Sequence, residues 1–436
     1  MFLDGLLAFL GRLSPLDWLY YFWPFFVIDF ARYVFLDGIV LGRWAYHGPR
    51  ERRRRAAARA TLFRERPLVS VVAPGKNEGA YIGELVDSLA RQTYRNVELV
   101  VVDDGSDDET PRICRRLKRE GKIHQYVRND PRGGKASAAN TALLYAKGEF
   151  VVHLDADSNL RFDAIERVIL PFYLESDVGA VGGDLRAANP EAGFATRCQA
   201  LEYIKSISIG RTVSSALGLL HIVSGAFGAF RRDTLERLGG WDVGPGLDGD
   251  LAMKLRKLGM KIVHEPNAIC FTHVPTTFRG IARQRYRWDR SMVRFRMRKH
   301  RDVFWMDWAS FSWLNFISSL ENVVFSFLLN LKWWVYVAQM VLFHAALVPY
   351  LIVVNYVLYM LANLIQYAVA SLALRPGLRP ADRRLLLVVP LMPPYTGLFL
   401  RIVRTFAHGM ELLNKASYRD RWNPWKVSRV AQEEGL

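Results

Sequence analysis

Aspartates that follow predicted strands are the residues of this chain whose spacing could do chemistry. They are Asp103-Asp104, Asp155-Ala156-Asp157 and Asp248-Gly249-Asp250. Ionised carboxylates at strand ends can hold a divalent cation or accept a proton from an attacking hydroxyl. A cationic and aromatic run, residues 283–288 (Arg-Gln-Arg-Tyr-Arg-Trp), comes after them. Together these groups predict a transfer reaction with an anionic donor.

The composition favours a membrane-associated protein over a purely soluble one. The chain has 436 residues, 51% of them hydrophobic and 13% aromatic, with a formal charge of +17. Basic clusters at 50–55, 294–301 and 401–429 lie beside apolar stretches, which is typical of cytoplasmic loops near an anionic membrane face. A solvated basic surface is the alternative. Nucleic acid would explain the charge but not the apolar stretches, so no nucleic-acid partner is predicted.

The cysteines and the N-terminus indicate the compartment. Cys114, Cys198 and Cys270 are far apart in sequence and form no metal-like pair, which fits buried thiols in a reducing cytosol. The N-terminus has no basic region leading to a small-residue cleavage site, so we expect no cleaved signal peptide.

Apolar stretches at both ends of the chain predict membrane spans. Residues 16–41 are long enough for one tilted span, although Asp29, Arg32 and Asp37 interrupt them and should face other helices or the interface. We expect two to four later spans, an even number if the basic tail returns to the cytoplasm, and an interfacial helix at 302–313. The later apolar stretches are residues 311–331, 333–346, 348–374 and 385–403, with breaks at 375–377 and 383–384.

Between these ends, apolar runs and helical segments alternate. The alternation predicts a doubly wound, Rossmann-like α/β domain with a parallel-rich sheet. Ligands of such sheets bind beyond the carboxyl ends of the strands, where Asp103-Asp104 and Asp155-Ala156-Asp157 fall. Strands are predicted at 68–73, 97–102, 123–127, 150–154, 223–230 and 261–264, and helices at 82–92, 109–118, 136–146 and 249–258.

These patterns divide the chain into five parts. They are an N-terminal interfacial or transmembrane helix at 1–45, a basic linker at 46–66, a cytosolic catalytic domain at 67–300, interfacial and transmembrane helices at 301–410, and a basic cytoplasmic tail at 411–436.

Asp155 and Asp157 are the predicted metal ligands. Hard cations such as Mg²⁺ accept one or two carboxylates beside the phosphates of a nucleotide diphosphate, and they stabilise the charge of the leaving group. An isolated Asp-x-Asp is more often a solvated turn. Its place directly after the predicted strand at 150–154 favours the metal site.

Asp248 is the predicted general base, since it is ionised at neutral pH and starts a helix. It could instead cap that helix. In the cationic run, Arg285 and Arg287 offer forked donors for phosphate, Gln284 can hydrogen-bond the same group, and Trp288 presents a flat face for a sugar ring. An amphipathic helix resting on lipid headgroups is the alternative for Arg290, Arg294 and Arg296.

From about residue 67 to 288, the motifs resemble the family-2 inverting glycosyltransferases, in particular the processive membrane synthases of cellulose, chitin, hyaluronan and poly-N-acetylglucosamine. Residues 102–106 (Val-Asp-Asp-Gly-Ser) look like the nucleotide-contacting motif, and Asp155-Ala156-Asp157 looks like the metal motif. Residues 284–288 fit the Q-x-x-R-W element. The family has a glutamate before its catalytic aspartate, whereas Leu247 precedes Asp248 here, which leaves Asp250 as a substitute.

The resemblance implies a cytosolic GT-A domain fused to N- and C-terminal transmembrane and interfacial helices. It implies a UDP-sugar donor, Mg²⁺ or Mn²⁺, a β-linked product leaving through the adjacent helices, and a multi-pass protein of the bacterial inner membrane. A saccharide acceptor and the bilayer would be its partners, with accessory export subunits that the sequence does not identify. The residues that the resemblance assigns to the donor are Ala73, Asn77, Glu78, Asp103, Asp104, Lys135, Asp155, Gln284, Arg285, Arg287 and Trp288.

Two other functions compete with a polysaccharide synthase. A glycosyltransferase acting on a membrane lipid could carry a similar Q-x-x-R-W element, and product size would separate the two. A non-catalytic membrane scaffold that kept the fold is the third, and the intact Asp157, Asp248 and Arg287 argue against it.

Overall fold

A mixed eight-stranded sheet forms the centre of the chain. The computed structural model describes residues 1–242, 246–304, 311–374 and 378–419. Its strands are β1 Val69–Gly75, β2 Val97–Asp103, β3 Gln125–Arg128, β4 Phe150–Leu154, β5 Ser158–Leu160, β6 Val178–Ala187, β7 Phe227–Arg231 and β8 Lys261–Thr272. They lie in the order β3-β2-β1-β4-β7-β6-β8-β5. The first four pair in parallel, which confirms the predicted α/β sheet, and β7 then pairs antiparallel with both β4 and β6.

The second half of the sheet differs most from the sequence-based expectation. β6 was not predicted because polar residues interrupt it, yet all of it is buried and its Arg186 donates to Asp184 at 2.7 Å. β8 was predicted to end at His264, but it continues to Thr272 beyond a register shift that leaves Pro266 without a partner in β6. A proline cannot donate to a ladder, so the strand accommodates it as an irregularity.

Helices cover both faces of the sheet and create two apolar cores. One face packs against Ile82–Ala90 and Thr110–Arg119, through residues such as Leu85 and Cys114. The other packs against Lys135–Tyr145 and Leu247–Lys257, where four small alanines of the first helix let it approach β1 and β2 closely. The remaining helices of this domain are Ala164–Ile169, Pro171–Leu174, Pro190–Ala192, Phe194–Tyr203, Ile204–Ile209, Gly210–Ala216, Arg232–Arg237, Phe278–Met292, Val293–Lys299 and Arg301–Phe304.

The N-terminal region is helical through the segment predicted as a basic linker. After Phe2–Arg12, the helices Pro15–Trp23, Pro24–Leu36 and Asp37–Glu65 follow one another. Arg55 donates to the buried Glu265 at 2.5 Å, and Arg59 pairs with Glu166 at 3.0 Å. These ion pairs fix the helix against the α/β domain, because an unpaired Glu265 would be costly to bury.

Three segments of the described residues are long and apolar enough to cross a membrane: Trp313–Phe343, Ala345–Ala373 and Pro380–Asn414. The predicted N-terminal span is not one of them, since charged residues interrupt it. Its Phe22 nevertheless packs against Tyr336 and Leu351 of the first two segments. The component helices are Trp313–Val323, Val324–Leu328, Leu329–Phe343, Ala345–Leu347, Val348–Ala373, Pro380–Arg383, Arg384–Leu391, Met392–Pro394, Tyr395–Phe399, Leu400–Asn414 and, beyond them, Ala416–Arg419.

Pro380–Asn414 contacts the α/β side of the molecule at both ends. Arg379, just before it, donates to the carbonyl of Ala187 at 2.7 Å, and Glu411 near its end accepts from Arg298 at 2.6 Å. Between these points it runs beside Phe278–Met292, where the rings of Tyr286 and Phe406 stack. These contacts indicate that Pro380–Asn414 lies along the α/β domain, although it also packs against the first segment, where Asn330 donates to Thr405 at 2.8 Å. If only the other two segments cross a membrane, the number of later spans is even, as predicted.

Three sequence-based expectations fall partly or wholly outside the described residues. They are most of the interfacial helix at 302–313, the break at 375–377, and the tail from residue 420.

Cysteine labelling can test this arrangement, because the native cysteines are all buried. With a membrane-impermeant maleimide, we expect Arg384→Cys and Leu413→Cys to react from the same side of the membrane as Lys122→Cys in the α/β domain. Ala346→Cys, in the turn between the other two segments, should react only from the opposite side. Labelling of position 413 together with position 346 would show that Pro380–Asn414 crosses the membrane.

Candidate active site

One cavity of about 1430 Å³ joins the carboxyl ends of the central strands to the apolar helices. Pro74 and Gly75 at the end of β1 and Ala156 after β4 form part of its wall. Ten of the predicted site residues line it: Glu78, Asp104, Lys135, Asp155, Asp157, Asp248, Gln284, Arg285, Arg287 and Trp288. The predicted metal ligands and the predicted base therefore face the same space.

Crowded carboxylates dominate the electrostatics at the strand ends. Burial, then the charge of Asp155, raises the pKa of Asp157 to about 6. Burial, Asp157 and Asp155 raise the pKa of Glu78 to about 7. The ammonium of Lys135 offsets part of this repulsion, since its Nζ lies 2.5 Å from Oδ1 of Asp155. Burial alone would lower the pKa of Lys135. The negative charges of Asp155, Asp248 and Asp157 outweigh this effect, and the pKa of Lys135 is raised.

The pair Asp155 and Asp157 fits a hard divalent cation. No group of three His, Cys, Asp or Glu side chains within the described ranges is arranged to hold a metal without help. Mg²⁺ and Mn²⁺ sites for nucleotides commonly use one or two carboxylates, and substrate phosphates supply the other oxygens. Burial first, and then the neighbouring charge of Asp155, raises the pKa of Asp157, so its ionised form is destabilised in the absence of a cation. A cation would stabilise that form.

Asp248 lies in the first turn of the helix Leu247–Lys257, but it does not cap it. Gly246 occupies the capping position, and the Asp248 carboxylate instead accepts from the backbone N–H of Gly225 at 2.9 Å. Burial raises the pKa of Asp248, while Lys135 and the Gly225 N–H act in the opposite direction. A desolvated, oriented carboxylate of this kind suits a general base.

Asp250 is directed elsewhere, although it is close to Asp248 in sequence. Its carboxylate contacts His300 at 2.7 Å and Lys299 at 2.9 Å, and the side chain is almost fully buried. Burial alone would raise its pKa, but these partners lower it to about 2. This arrangement makes Asp250 a structural anchor, and it leaves Asp248 as the predicted base.

Asp104 positions the loop from which Lys135 emerges. It accepts from the backbone N–H groups of Gly133 and Gly134, each at 2.9 Å, and from Arg132 at 3.2 Å. Gly134 has φ of 88°, a conformation that favours glycine, and the helix Lys135–Tyr145 begins immediately after it. Asp104 thereby fixes the ammonium group that faces Asp155.

Three other residues assigned to the donor lie behind the cavity wall. Asp103 accepts from the N–H of Ser106 at 2.7 Å and from Arg128 at 3.0 Å. Asn77, in the left-handed region, accepts from the N–H of Asp107 at 3.0 Å, and Ala73 is fully buried in β1. They shape the loops at this edge, and direct contact with a donor stays a prediction for them.

The cationic run lies on the helix Phe278–Met292, which Thr277 caps. Arg285 pairs with Glu202 at 2.9 Å, and its guanidinium lies 4.4 Å from the ring of Trp288. Gln284 accepts from Gln199 at 2.6 Å. Arg285 is thus held by a carboxylate, Arg287 lines the cavity, and Trp288 is 38% exposed on its wall.

Sequence reasoning missed Gly225, Glu202, Arg211 and Arg296, which all belong to the site or its support. Residues 223–230 were predicted only as a strand, although the strand begins at Phe227 and Gly225 binds the base before it. Glu202 is far in sequence from both Arg285 and Tyr395, its partners at 2.9 Å, so spacing gives no signal for it.

Comparison with known proteins agrees with this geometry. Residues 70–239 match the family described as Glycosyl transferase family 2. The chain carries a family-2 glycosyltransferase domain. The glycosyltransferase domain includes the sheet through β7, Lys135, Asp155 and Asp157, while Asp248 and the cationic run follow the matched residues.

The relatives include polysaccharide synthases. Over 214 residues the chain is 31% identical to the poly-beta-1,6-N-acetyl-D-glucosamine synthase of Staphylococcus epidermidis, covering 49% of this chain and 51% of that protein. The synthase of that description from Staphylococcus aureus strain COL is 30% identical over the same lengths. The chain thus spans about half the length of the curated relatives it matches. These matches confirm the resemblance to family-2 glycosyltransferases of the polysaccharide synthase type.

A solved structure shares the fold of the glycosyltransferase. The mannosyltransferase PcManGT from Pyrobaculum calidifontis, in complex with GDP-Man and Mn²⁺, superimposes with a TM-score of 0.54. The sequences are 24% identical, and the match covers 87% of this chain and 99% of that one. The similarity supports the GT-A fold.

Gly225→Ala should impair any transfer reaction that uses Asp248 as its base. An ideal Cβ at this position would lie 2.7 Å from Cγ of Asp248, so the carboxylate must move. We expect the rate of sugar transfer to fall about 100-fold or more, the scale of a lost general base, with little loss of folded protein. Gly83→Ala is the matched control, because nothing lies within 4 Å of its added methyl. Equal rates for both variants would contradict the role given to Gly225.

Proposed function

We propose that the chain is an inverting membrane glycosyltransferase which transfers a sugar from a UDP-sugar to the end of a growing β-linked polysaccharide. The product would leave through its own membrane helices. In this proposal the glycosyltransferase domain faces the cytoplasm, and the protein is a multi-pass component of a bacterial inner membrane.

The continuity of the cavity carries this proposal. The space that contains Asp157 and Asp248 extends without a break to Tyr336, Met340 and Leu351, deep in the apolar helices. Amide and hydroxyl side chains recur along it: Asn322, Asn330, Asn355, Tyr359, Asn363 and Gln366. A lining of this kind can hydrogen-bond sugar hydroxyls along the whole path, whereas a soluble acceptor would need none of it.

The chemistry divides between the two sides of the donor sugar. Asp155 and Asp157 would hold a divalent cation, which neutralises the charge of the departing nucleotide. Lys135 keeps Asp155 in place, and Arg287, which lines the cavity, would bind the diphosphate. Asp248, oriented by the Gly225 N–H, accepts the proton of the attacking hydroxyl. Trp288 offers its ring to an acceptor sugar, and inversion follows because the hydroxyl attacks from the face opposite the leaving group.

A lipid glycosyltransferase is the second candidate. The same cavity also has apolar lining, including Val341, Val348 and Ile352, against which a lipid chain could lie. Such an enzyme would release a lipid carrying one or a few sugars instead of a long chain.

Incubation of the purified protein with a panel of UDP-sugars tests both candidates. We expect one UDP-sugar to release UDP in the presence of Mn²⁺ and to give a long saccharide on product sizing. Asp248→Asn should reduce UDP release about 100-fold or more. A single-sugar lipid product would favour the second candidate, and release of UDP by Asp248→Asn at the unaltered rate would refute the assignment of the base.

The pH dependence should report the same carboxylate. Asp248 must be ionised to accept a proton, and burial raises its pKa. The rate should therefore fall on the acid side at a pH above the usual Asp range of about 3.9, and recover as pH rises. Asp250→Asn is the control, since it removes a neighbouring buried carboxylate outside the cavity. It should lower thermal stability and leave the acid limb unchanged.

Metal binding can be measured without turnover. With UDP present, Mn²⁺ at about 100 times its dissociation constant should stabilise the protein by about 2.7 kcal/mol, seen as a rise in melting temperature. Asp157→Asn should abolish that rise, because the cation loses a protein ligand. Asp177→Asn, at an exposed position away from the cavity, should retain it. An unchanged rise in the Asp157 variant would exclude this residue from the metal site.

A further inference from the structure

Three cationic or imidazole side chains, one of which interacts with Asp248, line the cavity and have buried ring or guanidinium nitrogens without a hydrogen-bond partner among the described residues. They are Arg211, His221 and Arg296. The proposed reaction uses none of them, and the predicted donor contacts lie elsewhere. A buried donor without an acceptor is rare in folded proteins, so three in one place indicate a ligand that supplies acceptor oxygens.

Arg296 is the clearest of the three. It is 1% exposed, and its Nη2 donates to the carbonyl of His221 at 2.9 Å. Its Nε and Nη1 have no partner. The carboxylate whose charge favours the Arg296 cation is Glu321, and Glu321 is paired with Arg32 at 3.2 Å. A buried guanidinium without its own carboxylate is costly unless an anion completes it.

His221 and Arg211 extend the same set. Nε2 of His221 lies 2.7 Å from the side-chain nitrogen of Asn322, which can only donate, so the imidazole proton resides on Nδ1. That Nδ1 is buried and makes no hydrogen bond of good geometry, and the backbone of Leu219 acts on the imidazole only weakly, as the smallest contribution to its pKa. Burial, Arg296, Arg211 and Arg256 lower the pKa of His221, which keeps it neutral among the three guanidinium groups. Nη1 of Arg211 is likewise without an acceptor, and the carboxylate of Asp248 stabilises its charge.

The location assigns this set to the acceptor. Arg211 stands next to the proposed base, and Asn322, the partner of His221, belongs to the first apolar helix. The set therefore lies between the base and the membrane part of the cavity, away from the strand ends where Asp155 and Asp157 face the donor. Oδ1 of Asn322 and Oδ1 of Asn330, further along, are also buried without partners, and sugar hydroxyls could satisfy them.

We propose that Arg296, with Arg211 and His221, forms an anion site for the acceptor, and that the acceptor is an acidic saccharide whose terminal units carry a carboxylate or phosphate group. This inference rests on the proposed function. The amide lining deeper in the cavity selects a saccharide over a lipid phosphate, since a lipid chain needs no hydrogen-bonding wall. The anion would accept hydrogen bonds from Nε and Nη1 of Arg296, and a neighbouring hydroxyl of the same saccharide would then lie near Asp248.

Acceptor binding to the purified full-length protein tests the proposal. The probes are a glucuronic-acid oligosaccharide, a neutral oligosaccharide of equal length, and vesicles containing a polyprenyl phosphate. We expect the acidic oligosaccharide to bind about tenfold or more tightly than the neutral one, the scale of one hydrogen bond to a charged group. Arg296→Gln should remove that preference, and its affinity for UDP should be unaltered. Arg296→Lys should retain part of the preference.

The controls separate this proposal from the reaction itself. Arg279→Gln removes an exposed charge from the preceding helix, Phe278–Met292, and should keep the preference. If Arg296→Gln does not fold, Arg211→Gln provides the same test from the opposite wall. Equal binding of the acidic and neutral probes, a preference that survives Arg296→Gln, or binding of polyprenyl phosphate alone would each overturn the acidic acceptor. UDP binding that persists in those cases would leave the glycosyltransferase assignment standing.

Discussion

The ion pair of Lys135 with Asp155 is the contact on which the rest of the site depends. Parallel strands end at one edge of the sheet, so Glu78, Asp155 and Asp157 meet there, and Asp248 approaches from the opposite wall. Such carboxylates repel one another strongly when water is partly excluded. One ammonium, 2.5 Å from Asp155, offsets part of that repulsion. Burial, and after it the repulsion that remains, raises the pKa of Asp157 and Glu78, and a cation bound at the same edge would stabilise their ionised forms.

The position of Lys135 is itself set by backbone geometry. Asp104 accepts from Gly133 and Gly134, and the left-handed Gly134 turns the chain into the helix that starts at Lys135. The base depends on a comparable contact, because the Gly225 N–H holds the Asp248 carboxylate. Backbone donors stabilise an ionised carboxylate while leaving its second oxygen free. The positions of Lys135 and Asp248 are therefore fixed by backbone N–H groups of glycines. A side chain at Gly133 or Gly225 would collide with the neighbouring residues.

The sequence predicted the parts of the site that have local patterns. Asp155-Ala156-Asp157 directly follows the mostly apolar strand β4. The first four strands alternate with helices along the chain, so their parallel pairing and their shared edge could be inferred. Long-range partners could not. Glu202 pairs with Arg285 although the two residues are far apart in sequence. The buried Asp184–Arg186 pair interrupts the apolar pattern of β6, so this strand could not be recognised. The role of Gly225 depends on its hydrogen bond to Asp248, which no local pattern indicates. Asp250 shares the motif of Asp248, but successive positions on a helix point to different sides, and the fold turns it toward His300.

The helix of the cationic run connects the two halves of the molecule. Arg287 and Trp288 line the cavity, and the helix Val293–Lys299, which follows directly, places Arg296 in the wall of the same cavity. Leu400–Asn414 runs along it, through Arg404 with Asp289 at 3.2 Å and Glu411 with Arg298 at 2.6 Å. Because the two helices are consecutive in the chain, a shift of one would move Trp288 and Arg296 together. In the proposed reaction, this would couple the groups that bind the diphosphate to those that bind the acceptor.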